Sequence, residues 1–352
     1  MGNRDAPFVL DLPDGYAVRE AAAGDAADVA SVYADAYPDG TEYPLVSERA
    51  VRTDLLADER TRPFVVEHGE DVVAAAAIEY DSLETGNAQI GKLAVKPPFR
   101  GKGLGRALLK HRVNVLETDD SFRGLIYAGA VTSHPASQHN LVARGFAPFS
   151  FQRHFQGRYF GVANESEIIM LYTDSIAYDE RTVYVPEAYR HVVERTLAQA
   201  SLDLLGRDLE ITEGTTSPGV ALEWLEIGLE HSREFLWEVT AAGDESWAES
   251  EREILAAMER NDTHMMVPID ANAQELWSLY GALESSGLEP AGFLPDWLTR
   301  NGTNRDAFVF QHDPDETPAE VDVIDDVKAL LDVLGTDYRV LEEHDRYWTL
   351  EI

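Results

Sequence analysis

One string in the chain has the residue types and the spacing to hold a ligand: Lys96-Pro-Pro-Phe-Arg100-Gly-Lys-Gly103-Leu-Gly105-Arg106. Glycines at 101, 103 and 105 let the backbone approach a ligand with no Cβ in the way. An apolar run precedes the string, and residues with helical spacing follow it. The first amides of such a helix have no intrahelical acceptor, and the positive end of the helix dipole stands behind them. A turn of this kind can cradle an anion, a pyrophosphate above all. The local charge agrees. Residues 85–116 contain no Asp or Glu, although the chain has 64 in 352 residues and a formal net charge of −35. The same window holds Lys92, Lys96, Arg100, Lys102, Arg106, Lys110 and Arg112, including four of the five lysines. A chain that is acidic elsewhere and basic in one glycine-punctuated strip is expected to bind a polyanion there.

The spacing narrows the ligand. It is G-x-G-x-G, not the G-x-G-x-x-G of dinucleotide folds, and no G-x-x-x-x-G-K-[ST] sequence is present. NAD or ATP in the same turn is therefore the weaker expectation. The pattern R-x-x-G-x-G from Arg100 to Gly105, directly behind Leu93-Ala94-Val95, resembles the GNAT superfamily of acyl-CoA-dependent N-acyltransferases. The resemblance covers about residues 14–175. It implies that family's fold and acetyl-CoA as cosubstrate; helices and strands that mix throughout both halves give the α+β class (α/β mixed sheet), and no His or carboxylate spacing in either half suggests a metal site. The resemblance also implies that Leu93, Ala94 and Val95 pair with the pantetheine arm. The pyrophosphate would lie against Arg100, Gly101, Lys102, Gly103, Leu104, Gly105 and Arg106, in a gap between strands 88–95 and 125–131.

Direct acyl transfer needs a base or water path for the amine proton, amides that polarise the thioester carbonyl, and an acid for the departing thiolate. Many members of the resembled family place a Tyr acid four residues before a Gly-Phe pair. Gly145-Phe146 matches, but the residue four back is Leu141. His134 and Ser137 are the candidate substitutes, with Ser133 and His139 beside them. Glu79 and Glu84 are the candidate bases. Each of these side chains also has an ordinary structural or surface role open to it. The leading expectation is an N-acetyltransferase acting on a primary amine. The rival is a CoA-binding sensor or assembly protein that has lost the chemistry.

The elements that must position these groups follow from periodicity. An extended piece near residues 16–19 precedes a helix over 25–37, with Ala26, Val29, Ala30, Val32 and Tyr33 on one face. A second helix is predicted over 47–58, a hairpin over 63–80 around Gly69-Glu-Asp, and a strand over 88–95 that Pro97-Pro98 ends. A helix over 103–117, a strand over 125–131, a short helix over 137–144 ended by Gly145, and strands near 147–155 and 167–172 complete the first half. The pattern restarts near Asp174, which places a domain boundary at 176–182, the first domain being 1–176 and the second 177–352. There the spacing predicts a helix after Pro186, strands over 220–229 and 233–241, and a helix over 245–260. A strand over 263–269, a helix over 273–286, strands over 291–294 and 307–311, an acidic connector, and a last helix and strand follow.

The stretch from Met265 through Gln311 resembles the end of another GNAT module, without an R-x-x-G-x-G before it. At 243–247 the chain reads Gly-Asp-Glu-Ser-Trp, whose carboxylates would repel a pyrophosphate. The second half is thus expected to be a degenerate copy that packs, dimerises or shapes the amine site, a separate ligand-binding fold being the alternative. Trp224, Trp237, Trp247, Trp277 and Trp297 are expected in core or interface.

Composition bounds the rest. Acidic residues outnumber basic ones 64 to 29, and Arg is strongly preferred over Lys, which reads as adaptation to high internal salt. A nucleic-acid partner is not expected, since one small basic strip would have to overcome an acidic surface. The chain has no Cys, which excludes disulfides and thiolate zinc sites. The opening MGNRDAPFVLDLPDG lacks the apolar core of a signal peptide, and no apolar run is long enough to cross a bilayer. The expectation is a cytoplasmic protein without a membrane partner, whose acceptor amine is not legible.

Overall fold

The computed structural model describes residues 10, 12–37, 43–81, 86–155, 165–177, 179–202, 206–211, 221–229, 232–238, 252, 255–256, 264–300, 302–315 and 317–341. The chain divides into two compact units, one running to Gly129 and the other from Ala130. The boundary expected at 176–182 falls within the second unit, at the start of its first small sheet.

In the first unit, β1 (Tyr16–Glu20) leads into α1 (Ala26–Ala36). A single turn, α2 (Glu48–Ala50), continues as a π turn over Val51–Leu55, where the sequence predicts one longer helix. The Ser47 hydroxyl accepts from the Ala50 amide at 3.1 Å and so caps this turn. Then come β2 (Thr61–His68), β3 (Asp71–Tyr80), β4 (Ala88–Val95), α3 (Leu104–Thr118) and β5 (Ile126–Val131), along which the chain passes into the second unit. The strands lie in the order β1-β2-β3-β4-β5. They are antiparallel as far as β4, and β4 and β5 are parallel.

The central strand β3 reads DVVAAAAIEY and is buried without interruption from Val72 to Ile78, the signature of a strand covered on both faces. Its four alanines keep that covering close. The predicted apolar face of α1 is buried as a set. The face of α3 is also buried, and with it a cation, Arg112.

The second unit begins with the end of β5, α4 (Ala136–Val142), β6 (Phe146–Gln152) and β7 (Glu167–Tyr172). It continues with β8 (Arg181–Tyr184), α5 (Glu187–Gln199), β9 (Arg207–Glu210), β10 (Ala221–Leu229), β11 (Ser232–Glu238) and β12 (His264–Asp270). The chain then forms α6 (Trp277–Ser285), β13 (Glu289–Arg300), β14 (Thr303–His312), β15 (Ala319–Val321), α7 (Asp325–Leu334) and β16 (Tyr338–Val340). The main sheet here has the order β7-β6-β13-β14-β12-β11-β10. Its helix-packed core is aromatic, with Tyr189, Tyr280, Phe308 and Phe310 in mutual contact. β13 can approach β6 because residue 292 is Gly: a Cβ there would stand 2.2 Å from the Phe149 carbonyl oxygen.

The strands of the C-terminal half follow a familiar order. β10 is antiparallel to β11 and β11 is parallel to β12, which repeats the sense of β3, β4 and β5. The helix and hairpin that come next, α6-β13-β14, repeat α4-β6-β7. The predicted helix over 245–260 and the acidic stretch 243–247 lie largely or wholly outside the described residues, as do Trp247 and residues 342–352. Trp277 and Trp297 are half-buried.

Candidate active site

The site grows from the way β4 loses its neighbours. With β5 it is in register only at Ala88↔Ile126 and Gln89↔Tyr127, after which the ladder stops. On the β3 side the register slips: Ala77 faces Gly91 and Ala75 faces Ala94, so Lys92 and Leu93 together oppose Ala76. This is a β-bulge, and Lys92 takes it with a φ of +52°, a left-handed conformation unusual for a side chain with a Cβ. The second half of β4 is therefore unpaired toward β5 and bent by the bulge. That is the place given by the sequence to Leu93, Ala94 and Val95.

Two buried side chains hold the carbonyls of the bulge. The Tyr33 hydroxyl, from α1, donates to Lys92 O at 2.7 Å. The Arg112 Nη1, from α3, donates to Gly91 O and to Ala77 O, each at 2.8 Å, while its Nε donates to Leu108 O at 3.2 Å. Arg112 is 2% exposed. Burial brings its pKa down to about 10, opposed by the nearby Tyr33 and Glu79, so it is charged at neutral pH.

Beyond β4, Pro97–Phe99 form one short turn, and Arg100 points back into the structure. Its Nε donates to Val95 O and its Nη2 to Ala36 O, both at 3.1 Å, so its guanidinium pins the loop to the ends of β4 and α1. Gly101 and Gly103 have φ of +72° and +78°, and Gly103 is the N-cap of α3. Ala107 N donates to Gly103 O at 3.0 Å, the first helical hydrogen bond. No backbone amide from Gly101 to Arg106 donates to another described residue. A Cβ on Gly103 would meet nothing within 4 Å, and one on Gly105 would meet only Leu93 Cδ2, at 3.5 Å. The arrangement is a run of free donors at a helix N-terminus with open space in front, as an anion requires.

The basic strip is less available than its composition suggests. Lys92 pairs with Glu79 at 2.9 Å and Lys96 with Asp35 at 3.8 Å, Arg112 is buried, and Arg100 is committed to carbonyls. Lys102 and Arg106 remain exposed beside the free amides. Arg100→Ala should accordingly loosen the loop as well as any ligand. The expected loss of acetyl-CoA affinity is about 1–3 kcal/mol, measured by calorimetric titration with unfolding curves for comparison.

The described catalytic candidates fall on both units. Glu79, near the end of β3, carries the Lys92 ion pair and is partly exposed. Glu84 lies outside the described residues. His134 and Ser137 belong to the second unit, just before and within α4, and the Ser137 hydroxyl is buried with no hydrogen-bond partner among the described residues. Ser133 donates to the buried Glu165, whose carboxyl is raised by burial. His139 is exposed, and Leu141 is buried on α4. Sequence reasoning missed Tyr33 and Arg112 as parts of the site. Arg112 follows Leu108 by one turn on the apolar face of α3, and a cation on a buried helix face was the available signal.

Residues 27–146 match the model of the acetyltransferase (GNAT) family. That segment, within the N-terminal half, carries the pattern of a GNAT domain. Among solved structures, the chain is similar to the ribosomal-protein-S18-alanine N-acetyltransferase of Escherichia coli at 21% identity, covering 44% of this chain and 92% of that one with a TM-score of 0.37. It is also similar to the ribosomal-protein-S5-alanine acetyltransferase of Vibrio fischeri, at 16% identity, covering 48% of this chain and 100% of that one with a TM-score of 0.39. A spermidine N-acetyltransferase chimera from Vibrio cholerae gives 16% identity, 46% and 98% coverage and a TM-score of 0.38. No curated protein matches the chain.

Among its described residues the second unit shows no such open groove. β11 and β12 are in register from Ser232↔His264 to Trp237↔Ile269, so the gap that opens between β4 and β5 is closed between their counterparts. Acetyl-CoA should therefore protect amides of β4 and α3 from hydrogen exchange and leave β11 and β12 unchanged. At a hundredfold excess over Kd, global stabilisation should be about 2.7 kcal/mol.

Proposed function

We propose that the first module binds acetyl-CoA and transfers its acetyl group directly to a primary amine. The observation that carries this reading is the continuity of an unpaired, bulged β4 with the free amides of Gly101 to Arg106. One offers backbone groups to an extended amide-bearing arm, and the other offers donors to a pyrophosphate. Leu93, Ala94 and Val95 take the arm, and Lys102 and Arg106 flank the phosphates.

The amine must lose a proton, attack the thioester carbonyl carbon and expel the CoA thiolate, which takes up a proton. Glu79 is the candidate base, acting directly or through water once its ion pair with Lys92 is exchanged for the incoming amine. His134 and Ser137 are candidates for protonating the thiolate, a task for which positioning alone already contributes strongly. The acidic surface favours a basic acceptor, and the C-terminal half serves as a degenerate packing, dimerising or site-shaping module. The protein works in a salt-rich cytoplasm, without nucleic acid or membrane.

Leu141, standing where many relatives have a Tyr acid, favours a second reading: a CoA-binding sensor without turnover. Incubation with acetyl-CoA and a library of amines in molar KCl separates the two. Amine-dependent release of free thiol, with an acetylated amine detected by mass spectrometry, is the expected result. Tight binding with no thiol release from any amine would establish the sensor.

A further inference from the structure

We infer that Arg112 and Tyr33 are positioning residues that aim the amides of the β4 bulge at the thioester carbonyl. This rests on the reading of the first module as an acetyl-CoA site. A buried guanidinium is costly unless its donors are well used, and among the described residues its hydrogen bonds go to carbonyl oxygens. One nitrogen, Arg112 Nη1, takes both Gly91 O and Ala77 O, so these oxygens of adjacent strands converge on it. The Gly91 carbonyl is thereby turned toward β3. In a trans peptide the N–H points opposite to the C=O, so the Lys92 N–H is turned away from β3, toward the side where pairing with β5 has ended. Tyr33 fixes the next peptide in the same way. Its hydroxyl holds Lys92 O, and the Leu93 N–H points away from Tyr33.

The left-handed conformation of Lys92 joins these two peptides, and successive amides around such a residue can share one acceptor. Neither Lys92 nor Leu93 is in register with a residue of β3 or β5. A carbonyl oxygen that gains negative charge as the amine attacks would be met by donors already oriented, and such preorganised donors are a main source of acyl-transfer catalysis. A bulge held only by its own backbone would relax. Two side chains anchored in separate helices, α1 and α3, prevent this. Arg112 supplies a charge-assisted bond that a neutral side chain cannot replace.

The test uses the full chain with acetyl-CoA carrying a ¹³C carbonyl, and compares the wild type with Tyr33→Phe, Arg112→Lys and Arg112→Met. The bound carbonyl stretch is read by difference infrared spectroscopy, and affinity by calorimetry for acetyl-CoA and for S-ethyl-CoA, which lacks the carbonyl. The expected wild-type stretch lies below that of free acetyl-CoA. In Tyr33→Phe and Arg112→Met it should return toward the free value. The preference for acetyl-CoA over S-ethyl-CoA should fall about tenfold, the equivalent of one lost hydrogen bond, and Arg112→Lys should restore part of it. Folded variants that bind acetyl-CoA with an unchanged carbonyl frequency would overturn the inference while leaving the cofactor site intact. A wild type that does not bind acetyl-CoA would overturn both. Tyr33→Phe removes one hydroxyl and keeps the ring, so it remains informative if the Arg112 variants do not fold.

Discussion

Gly105→Val is expected to abolish acetyl-CoA binding while leaving the fold in place. The residue sits in the first turn of α3 with an ordinary helical backbone, and a Cβ there would meet only Leu93 Cδ2 at van der Waals distance. The protein can accommodate the side chain. A pyrophosphate lying against the free amides of Gly101 to Arg106 cannot, because the branched carbons would occupy its place. Loss of two or more charge-assisted hydrogen bonds, at roughly 1.5–3 kcal/mol each, is at least about a hundredfold in affinity. Gly103→Val should lose binding to the same extent, but with a cost to the fold of about 1–2 kcal/mol, since its φ of +78° is unfavourable for any residue with a Cβ. The difference between the two variants is itself informative. Calorimetric titration reads the first effect and urea unfolding the second. Equal, small effects on binding would mean that the turn holds no ligand.

A comparably large effect is expected far from the cradle. In the second unit, Arg207 is fully buried between two buried carboxylates. Its Nε stands 2.8 Å from Asp306 Oδ2, and its Nη2 is 3.3 Å from Asp296 Oδ1. Arg181 reaches the same two Asp residues, and the Asn272 amide joins Asp306 to the Thr182 carbonyl. Burial raises the Asp296 carboxyl, and Arg181 and Arg207 oppose that shift. Together these groups tie the small β8-β9 sheet to the β13-β14 hairpin. Arg207→Met would leave Arg181 alone to balance both Asp296 and Asp306. Removing one partner from a buried ionic set costs about 3–5 kcal/mol, because the remaining charges lose compensation they cannot regain from water. Urea unfolding monitored by circular dichroism should show that loss. A change below about 1 kcal/mol would mean that the network is open to solvent.

The two predictions differ in how much of their basis was legible in the chain. The strand, turn and helix around the cradle are local: Pro97-Pro98 stop β4, Gly103 supplies the left-handed N-cap, and the apolar spacing of α3 fixes its face. These fell within a residue or so of their observed ends. The bulge was not legible, because a positive φ at Lys92 arises from strand register and leaves no mark in composition. Nor was the burial of Arg112, which counted among the cations available to a ligand and instead spends its donors on carbonyls. β9 is recognisable only through its partner β8, and its Arg207 reads as a surface cation until Asp296 and Asp306 come beside it. β13 and β14 extend well past the apolar cores that marked them, because long-range pairing, and not alternation, sets their length. Local chemistry marks the candidate cradle, while non-local packing decides which of its charges remain free.

That distinction bears on salt. Lys92, Lys96, Arg100 and Arg112 are already engaged, so on the proposed reading the cradle would hold acetyl-CoA mainly through short backbone hydrogen bonds and the β4 groove, with Lys102 and Arg106 as secondary contacts. At 1 M salt the Debye length is about 3 Å, which removes long-range attraction and leaves contacts of that kind largely intact. Calorimetric titration of acetyl-CoA into the full chain from dilute buffer to 2 M KCl, with circular dichroism confirming the fold at each point, tests the account most directly. The predicted result is binding at one site whose affinity in 2 M KCl is at least comparable to that at low salt and which Gly105→Val eliminates. A folded protein that takes up no acetyl-CoA, or whose affinity falls steeply and continuously with KCl, would contradict it.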